Sequence, residues 1–409
     1  MIRTACPYCG VGCGVVATPD GRGGAEVIGD VAHPANRGRL CSKGAALGET
    51  LGLEDRLLHP EIDGRRVSWD SALDTVARGF ADVIAKDGPD AVAFYVSGQL
   101  LTEDYYVANM LIKGFIGTAN IDTNSRLCMA SSVAGHKRAF GSDTVPGAYE
   151  DFEQADLIVL TGSNLAWCHP VLFQRLEAAK RERPQMKVVV IDPRRTETCD
   201  IADLHLPLKP GSDVALFNGL LVALKRRGVI ATDFVSSHTT GLEAALSAAE
   251  ASSLDACGLP AEDIATFFDW FCGVEKTVTL YSQGVNQSSA GVDKVNAIIN
   301  CHLLAGRIGR PGMGPFSITG QPNAMGGREA GGLAHLLPGY RLVGEAEHRR
   351  EVEAAWGFAP GSIAPRPGFT VMQQIDAIEA GALDLWWVAA TNPLVSLPNL
   401  ERVKRAVLR

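Results

Sequence analysis

The sequence has no long hydrophobic run and no excess of positive charge. Its apolar stretches, such as Leu385-Trp-Trp-Val-Ala-Ala, are far shorter than the roughly 20 residues that a membrane-spanning helix needs. Lysine and arginine number 38 against 46 aspartates and glutamates, a net charge of −8 without a basic patch for nucleic acid. The histidines lack a ligand spacing such as His-x3-His. These absences predict no membrane span, no nucleic-acid partner and no histidine-based metal site.

Disulfide bonds are not expected either, although the chain contains ten cysteines. The first of them, Cys6, leaves no room before it for a signal peptide or a twin-arginine leader, so a cytoplasmic location is expected. In a reducing compartment cysteines are metal ligands or buried thiols. A length of 409 residues, 46% of them hydrophobic and 21% charged, is typical of a globular protein with two or three domains.

Four cysteines near the N-terminus have the spacing of a metal centre. Cys6-x2-Cys9-x3-Cys13 is followed by Cys41, and Gly10 and Gly12 lie between Cys9 and Cys13. Four thiolates are the ligands of a [4Fe–4S] cluster, and glycines let the backbone turn around it and aim N–H groups at the sulfurs. Four thiolates also suit tetrahedral zinc, although structural zinc sites more often use two Cys-x2-Cys pairs. The spacing favours the cluster and therefore electron transfer.

The rest of the chain alternates between strand and helix patterns. One helical pattern begins at Ser68 and ends at Gly88, and Asp213 precedes another that ends near Gly228. Short runs of continuous apolar residues lie between the helices, as in strands that are buried on both faces of a parallel sheet. These runs are Val92–Val96, Leu157–Leu160, Val188–Ile191, Val278–Tyr281 and Leu385–Val388. The pattern predicts an α/β fold.

Small and polar residues follow every one of these strands. Ligands of open parallel sheets bind outside the carboxyl ends of the strands. Gly162-Ser163-Asn164 precedes a helix and can offer N–H groups to a phosphate, and Asp192 ends the next strand, where dinucleotide folds place a ribose-binding acid. Each turn alone is also compatible with an ordinary strand–helix connection. Together they favour a large, nucleotide-like ligand.

Cys128 lies in the polar segment Asn124-Ser-Arg-Leu-Cys-Met-Ala-Ser-Ser132. From spacing alone it is compatible with a buried thiol, which is the usual role of a free cysteine. The same interpretation applies to the remaining cysteines, to which no chemistry is assigned: Cys168, Cys199, Cys257, Cys272 and Cys301.

Taken together, these motifs resemble the molybdopterin oxidoreductases that carry bis(molybdopterin guanine dinucleotide), or bis-MGD, and one [4Fe–4S] cluster. The resemblance covers the whole chain. It includes the four-cysteine segment, Cys41-Ser-Lys43-Gly44, the Asn124–Ser132 stretch, Gly162-Ser-Asn164 and Lys209-Pro-Gly-Ser-Asp213. Within that family, the segments Gly284–Lys294 and Thr319–Gly332 look like assimilatory nitrate reductase.

The resemblance implies roles for four residues near the metal. Cys128 would ligate molybdenum, for which soft sulfur is a suitable ligand. Met129 follows it, where formate dehydrogenases of the family typically carry histidine. Arg328 would bind nitrate through its planar guanidinium, and Lys43 would bridge the cluster and the nearer pterin. A surface lysine is the alternative for Lys43.

The resemblance also implies a set of cofactor contacts. In addition to Lys43, these are Gln99, Asn124, Gly162, Ser163, Asn164, Asp192, Arg194, Thr196, Gly211, Ser212, Asp213, Gln283, Gln287 and Asn392.

The implied function is that of a nitrate reductase catalytic subunit. It would reduce nitrate to nitrite by two electrons, with oxygen-atom transfer to molybdenum and electron relay through the cluster. The electron donor would be a flavoprotein or NADH subunit, ferredoxin or flavodoxin. The alternatives are a formate dehydrogenase or other bis-MGD oxidoreductase, and a molybdenum-free electron-transfer subunit.

The family's layout also implies discontinuous domains. We expect a cluster domain over residues 1–55 and an α/β domain over 56–137 that resumes at 322–409. A Rossmann-like MGD-binding domain is expected over 138–321, and the family's C-terminal domain is expected to be absent.

Overall fold

The structure, a computed structural model, describes residues 1–408. Its strands are β1 Ile2–Ala5, β2 Gly14–Pro19, β3 Ala25–Gly29, β4 Glu61–Ile62, β5 Arg65–Arg66, β6 Val92–Val96, β7 Ile121–Thr123, β8 Leu157–Thr161, β9 Lys187–Ile191, β10 Leu204–Leu206, β11 Thr277–Tyr281, β12 Gly314–Ser317, β13 Leu336–Leu337, β14 Arg341–Leu342 and β15 Leu385–Val388. All five predicted strands are therefore confirmed, to within one residue at each end.

The helices are α1 Ser42–Ala45, α2 Trp69–Asp87, α3 Thr102–Met110, α4 Ser125–Phe140, α5 Glu150–Gln154, α6 Leu165–Cys168, α7 Pro170–Glu182, α8 Asp213–Arg226, α9 Thr232–His238, α10 Leu242–Glu250, α11 Ala261–Gly273, α12 Gln283–Asn286, α13 Gly291–Leu304, α14 Ala324–Glu329, α15 Ala346–Trp356, α16 Val371–Glu379, α17 Pro393–Ser396 and α18 Leu400–Val407. None of those in the described part of the chain combines the length and apolarity of a bilayer-spanning helix.

The chain divides into two compact units. The first contains residues 1–50 and 127–320, and the second contains residues 51–126 and 321–409. The predicted cluster segment therefore shares a unit with the predicted Rossmann-like residues.

The first unit is built on a five-stranded parallel sheet with the strand order β10-β9-β8-β11-β12. The chain starts this sheet at its centre with β8, adds β9 and β10 on one side, and then adds β11 and β12 on the other. This is the doubly wound order of dinucleotide-binding folds, in which the direction of winding reverses between β8 and β11. The predicted Rossmann-like fold is confirmed.

Alternate residues of β8 and β9 enter two different cores. Val159 and Val189 pack with apolar side chains of α8, α11 and α13. Ile158 and Val188 point to the other face and pack with α7 and with residues of the four-cysteine segment. This alternation follows from the two-residue period of a strand. The segment that carries the cysteines is therefore one of the layers that cover the sheet.

The second unit contains the parallel sheet β15-β6-β7 and, beside it, the long helix α2. Ser68 caps α2 by accepting the N–H of Ser71, and Gly88 ends it with a φ of 83°, as predicted from the sequence. The apolar face of α2 is only partly covered. Leu73 is 59% exposed, whereas Phe80 packs against the buried core beneath β6.

Candidate cofactor and active site

The four N-terminal cysteines lie around one cavity. Cys6 follows β1 and Cys13 precedes β2, and the N–H of Cys6 donates to the carbonyl of Cys13 over 2.8 Å. Cys9 lies in the turn between them, and Cys41 directly precedes α1. All four line the cavity. The fold thus brings Cys41, which is distant in the sequence, to the lining of the same cavity as the first three cysteines.

Burial makes the thiols of Cys6, Cys9 and Cys13 difficult to ionise without a positive centre beside them. Burial and the neighbouring thiolates raise the pKa of Cys13 to about 12, and burial also raises the pKa of Cys6 and Cys9. Lys43 opposes the shift at Cys6 and Cys9 because its charge lowers the pKa of both. A bound metal centre supplies the charge that holds thiolates together. The donor set therefore fits an iron–sulfur cluster.

A buried arginine fixes the cysteine segment to the sheet unit. Arg175 on α7 donates from Nη1 to the carbonyls of Pro34 and Ala35 over 3.0 and 2.8 Å. Its Nε donates to Glu153 over 2.8 Å, and Glu153 also pairs with Arg37 over 2.9 Å. The side chain of Arg175 is fully buried. These bonds hold the loop before Cys41 in place, although no sequence motif indicated them.

The cysteine turn also contacts the chain that leaves β12. The N–H of Gly10 donates to the carbonyl of Gly320 over 3.0 Å, and the backbone of Thr319 occupies the space that a side chain at position 10 would need. His169 bonds through Nε2 to the carbonyl of Thr319 over 2.7 Å. Burial, with a smaller effect of the Lys43 charge, lowers the pKa of His169 to about 4. Lys43 thus acts electrostatically on both the cysteines and His169, a position compatible with its predicted bridging role.

A cavity of about 600 Å³ lies at the carboxyl ends of the sheet strands in the same unit. Its walls include eight of the predicted cofactor contacts: Gly162, Asn164, Asp192, Arg194, Gly211, Asp213, Gln283 and Gln287. Ser163, Thr196 and Ser212 do not line it. Ser212 instead donates to the carbonyl of Lys209, and Ser163 is buried with a hydroxyl that has no protein partner.

Two glycines bring the turns after β8 and β11 into contact. The N–H of Gly284 donates to the carbonyl of Gly162 over 2.9 Å. A Cβ atom on Gly284 would lie 2.6 Å from the Cα of Gly162, and Gly162 itself has a φ of 56°. Side chains are excluded at both positions. The cavity therefore begins directly at the winding reversal of the sheet, where dinucleotides bind.

A buried ion pair lies in the wall of this cavity. Lys294 on α13 pairs with Asp213, the first residue of α8, over 2.7 Å, and both side chains are at most 9% exposed. Sequence reasoning missed Lys294 as a site residue, although it ends the Gly284–Lys294 segment that carried the resemblance. Buried polar atoms without protein partners, such as Thr161 Oγ1 and Ser163 Oγ, lie near the same strand ends. This cavity therefore has glycine turns, charged side chains in its wall and nearby hydroxyls without a protein partner. These features fit a polar cofactor that carries phosphates.

Cys128 is buried on α4, 8% exposed, one residue before a break in the helix at Met129 (φ −137°, ψ 20°). Its Sγ accepts a hydrogen bond from Nε2 of Gln283 over 3.1 Å. Just beyond the break, Ser131 donates to the carbonyl of Asn286 on α12 over 2.8 Å. The predicted metal ligand therefore lies beside the strand end that also borders the 600 Å³ cavity.

The second unit carries four more of the predicted residues. Asn124 accepts the N–H of Gly98 through its side chain over 2.9 Å, next to Gln99. Arg328 is buried on α14, 7% exposed, and Asn392 caps α17 by accepting the N–H of Leu394.

Arg126 of the second unit was not predicted as a site residue. It makes a two-point pair with the buried carboxylate of Asp122, over 3.1 and 3.0 Å, and its Nη2 lies 3.2 Å from His335. These contacts hold its side chain at the start of α4.

Comparison with known proteins identifies the family. Residues 56–409 match the profile "Molybdopterin oxidoreductase", and residues 1–51 match "Molybdopterin oxidoreductase Fe4S4 domain". The chain is similar to "Nitrate reductase" of Klebsiella oxytoca, 56% identical over 100% of this chain and 46% of that protein. It is 44% identical to "Nitrate reductase" of Synechocystis over 99% of this chain and 59% of that protein. The chain thus spans about half the length of these relatives.

A solved structure shares the fold. Acetylene hydratase from Pelobacter acetylenicus superimposes with a TM-score of 0.77, at 20% identity, over 100% of this chain and 59% of that one. The strand order of the sheet, the cavity at its winding reversal and the four-cysteine segment agree with these matches. The chain belongs to the molybdopterin oxidoreductase family, whose cofactors are a molybdenum-bound molybdopterin and a [4Fe–4S] cluster.

Proposed function

We propose that this chain is the cofactor-binding part of a nitrate reductase catalytic subunit, which converts nitrate, two protons and two electrons to nitrite and water. When bound, the molybdenum cofactor supplies oxygen-atom transfer chemistry. The observation that carries the proposal is the position of Cys128, a buried sulfur 3.1 Å from Gln283 at the strand end that borders the dinucleotide cavity. A thiolate there can ligate a soft metal while the cavity holds the nucleotide end of the cofactor.

The choice of nitrate rests on similarity. Relatives that match the full length of this chain at 56% and 44% identity are named nitrate reductases. Met129 follows Cys128, whereas the resemblance associates histidine at that position with formate dehydrogenases. Both observations support nitrate over formate.

The proposal gives roles to the predicted metal, substrate and cavity residues. Cys128 ligates molybdenum, and Arg328 binds nitrate through two parallel N–H···O bonds. Lys43, whose charge acts on Cys6, Cys9 and His169, would supply a positive charge to the bound cofactors. Gln283 contacts Cys128 at the edge of the 600 Å³ cavity, and the other predicted residues that line the cavity would bind the guanine dinucleotide, with the glycine turns giving its phosphates close access to backbone N–H groups.

Electron supply and location complete the proposal. The cluster that Cys6, Cys9, Cys13 and Cys41 would hold would supply one-electron transfer, and the electron donor would be a flavoprotein or NADH subunit, ferredoxin or flavodoxin. We place this reaction in the cytoplasm, where it serves nitrate assimilation.

The test uses the natural-length protein. Metal analysis is expected to give molybdenum and at least four irons per chain, with two GMP released by acid hydrolysis. Reduced viologen is expected to drive nitrate reduction, and formate oxidation is expected to be absent. Formate oxidation without nitrate turnover would overturn the choice of substrate, and iron without molybdenum would favour an electron-transfer subunit.

A further inference from the structure

The side chain of Gln283 contacts Sγ of Cys128. The two residues are 155 positions apart in the chain, and the fold brings Nε2 of Gln283 to 3.1 Å from the sulfur. Gln283 is the first residue of α12 and the second residue after β11, so its backbone is anchored to the central sheet. This contact is close enough for an N–H···S hydrogen bond.

The orientation of the Gln283 carboxamide is determined by its other end. The hydroxyl of Ser282 donates to Oε1 of Gln283, which leaves the NH2 group facing the sulfur. Ser282 is 3% exposed, and its Oγ also lies 3.3 Å from the carbonyl of Ile318 on the chain that leaves β12. A metal-bound thiolate can only accept hydrogen bonds, so the NH2 group is the end of the amide that it requires.

The segment that carries Cys128 is also held in place by hydrogen bonds. Beyond the break at Met129, Ser131 and Ser132 both bond to Asn286, which lies on the same short helix as Gln283. The donor and the acceptor therefore belong to two segments that are fastened together by three hydrogen bonds. The geometry does not depend on one flexible side chain.

We propose that Gln283 is a positioning residue that tunes the molybdenum through Cys128. This inference rests on the proposed ligation of molybdenum by Cys128. The N–H···S bond withdraws electron density from the thiolate, so the sulfur donates less to the metal. Hydrogen bonds to ligand sulfurs raise the reduction potential of a metal centre, and outer hydrogen bonds orient its ligands. Gln283 thus favours the reduced, nitrate-reactive state of the metal.

The test replaces Gln283 in the natural-length protein. Gln283→Met retains the length and volume of the side chain but removes both N–H donors. Ser282→Ala retains the amide but removes the hydroxyl that orients it. The exposed residue Gln185 provides the matched control, Gln185→Met. Molybdenum and iron contents, the molybdenum midpoint potentials from a redox titration, and the Mo(V) EPR spectrum are measured for each variant.

We expect native molybdenum and iron contents in all variants. Gln283→Met is expected to lower the molybdenum midpoint potentials and change the Mo(V) g-values, and Ser282→Ala to shift both in the same direction by less. Gln185→Met is expected to match the native protein.

Three results would overturn the inference. If Gln283→Met contains native amounts of molybdenum and iron and has the native molybdenum midpoint potentials and Mo(V) EPR spectrum, Gln283 only fills space beside Cys128. Loss of molybdenum from Gln283→Met alone would make it a cofactor-holding residue. A native protein without molybdenum would overturn the proposed function as well, so the two failures are distinguishable.

Discussion

Gly284 donates its backbone N–H to the carbonyl of Gly162 over 2.9 Å, so the turns after the two central strands touch without a side chain between them. The turns lie at the winding reversal of the sheet, and both glycines line the cavity proposed for the dinucleotide.

Gly284→Ala is expected to destabilise the protein by about 1–3 kcal/mol, because the added Cβ would lie 2.6 Å from the Cα of Gly162. The two turns must separate, which changes the cavity floor. We expect a lower Tm and reduced GMP content with iron retained. Gly273→Ala, where a Cβ meets nothing within 4 Å, is the control. Native GMP content in Gly284→Ala would show that the contact between the turns is unimportant for the cofactor.

Cys128→Ser is expected to leave the iron content unchanged and abolish nitrate turnover, because a hard alkoxide replaces a thiolate on molybdenum. Cys13→Ala is the reciprocal variant, expected to lose iron and the broad visible absorbance of the cluster. Full nitrate reduction by Cys128→Ser would return Cys128 to the role of a buried thiol.

Arg328→Lys is expected to lower kcat/KM for nitrate about ten- to hundredfold. The charge remains, but the planar fork is lost, and one charge-assisted hydrogen bond contributes about 1.5–3 kcal/mol. Arg328→Ala is expected to lose more, because the charge that attracts nitrate is also removed.

The Arg328 assays are normalised to bound molybdenum. If Arg328 only packs in its buried position, both variants would lose cofactor or stability while retaining turnover per molybdenum.

Lys294→Met is expected to lower the stability of the protein by about 3–5 kcal/mol, because it leaves the carboxylate of Asp213 buried without its partner at 2.7 Å. Thermal unfolding measures the loss. The double replacement Lys294→Met with Asp213→Leu is expected to be more stable than Lys294→Met, since no unpaired charge remains. If the double variant is less stable than both the native protein and Lys294→Met, the pairing argument is contradicted.

His169 is expected to make the protein less stable in mild acid. Burial lowers its pKa in the folded state to about 4, below the value of about 6.5 expected in the unfolded chain. The unfolded state therefore binds more protons as the pH falls below about 6.5, and stability is lost progressively towards pH 4.

His169→Gln provides the comparison, because its amide can still donate to the carbonyl of Thr319 but does not titrate. Between pH 7 and 5 the Tm of the native protein is expected to fall more steeply than that of His169→Gln. The buried His302 is present in both proteins, so it does not contribute to the difference. If the Tm values of the native protein and His169→Gln fall in parallel between pH 7 and 5, the acid sensitivity comes from groups other than His169.

The sequence was sufficient to predict the central strands, because strands buried on both faces are continuous apolar runs. The neighbouring strands β10 and β12 were missed: Leu204–Leu206 contains a histidine, and Gly314–Ser317 contains a proline, so neither resembles a buried strand. The caps of α2 were local signals and were predicted from Ser68 and Gly88. The exposure of Leu73 on α2 was not predicted, because periodicity indicates which face of a helix is apolar but not what covers that face.

The site was predictable to the extent that its residues lie in contiguous motifs. Most predicted dinucleotide contacts line one cavity, because strand ends of a parallel sheet meet at one edge. The Lys294–Asp213 pair and the Gln283–Cys128 contact join residues that are distant in the sequence. No local sequence pattern indicates a contact between such distant residues, so these two contacts could be found only in the folded structure.

The division of β8 between two cores has an evolutionary consequence. Leu157 and Val159 share a core with α8, α11 and α13, whereas Ile158 and Leu160 share one with the cysteine segment. Adjacent positions of one short strand must therefore fit two different sets of neighbours. Substitutions at Ile158 and Leu160 are expected to need compensation near the four-cysteine segment, and those at Leu157 and Val159 among the helices on the opposite face, so covariation along β8 is expected to alternate with the pleat of the strand.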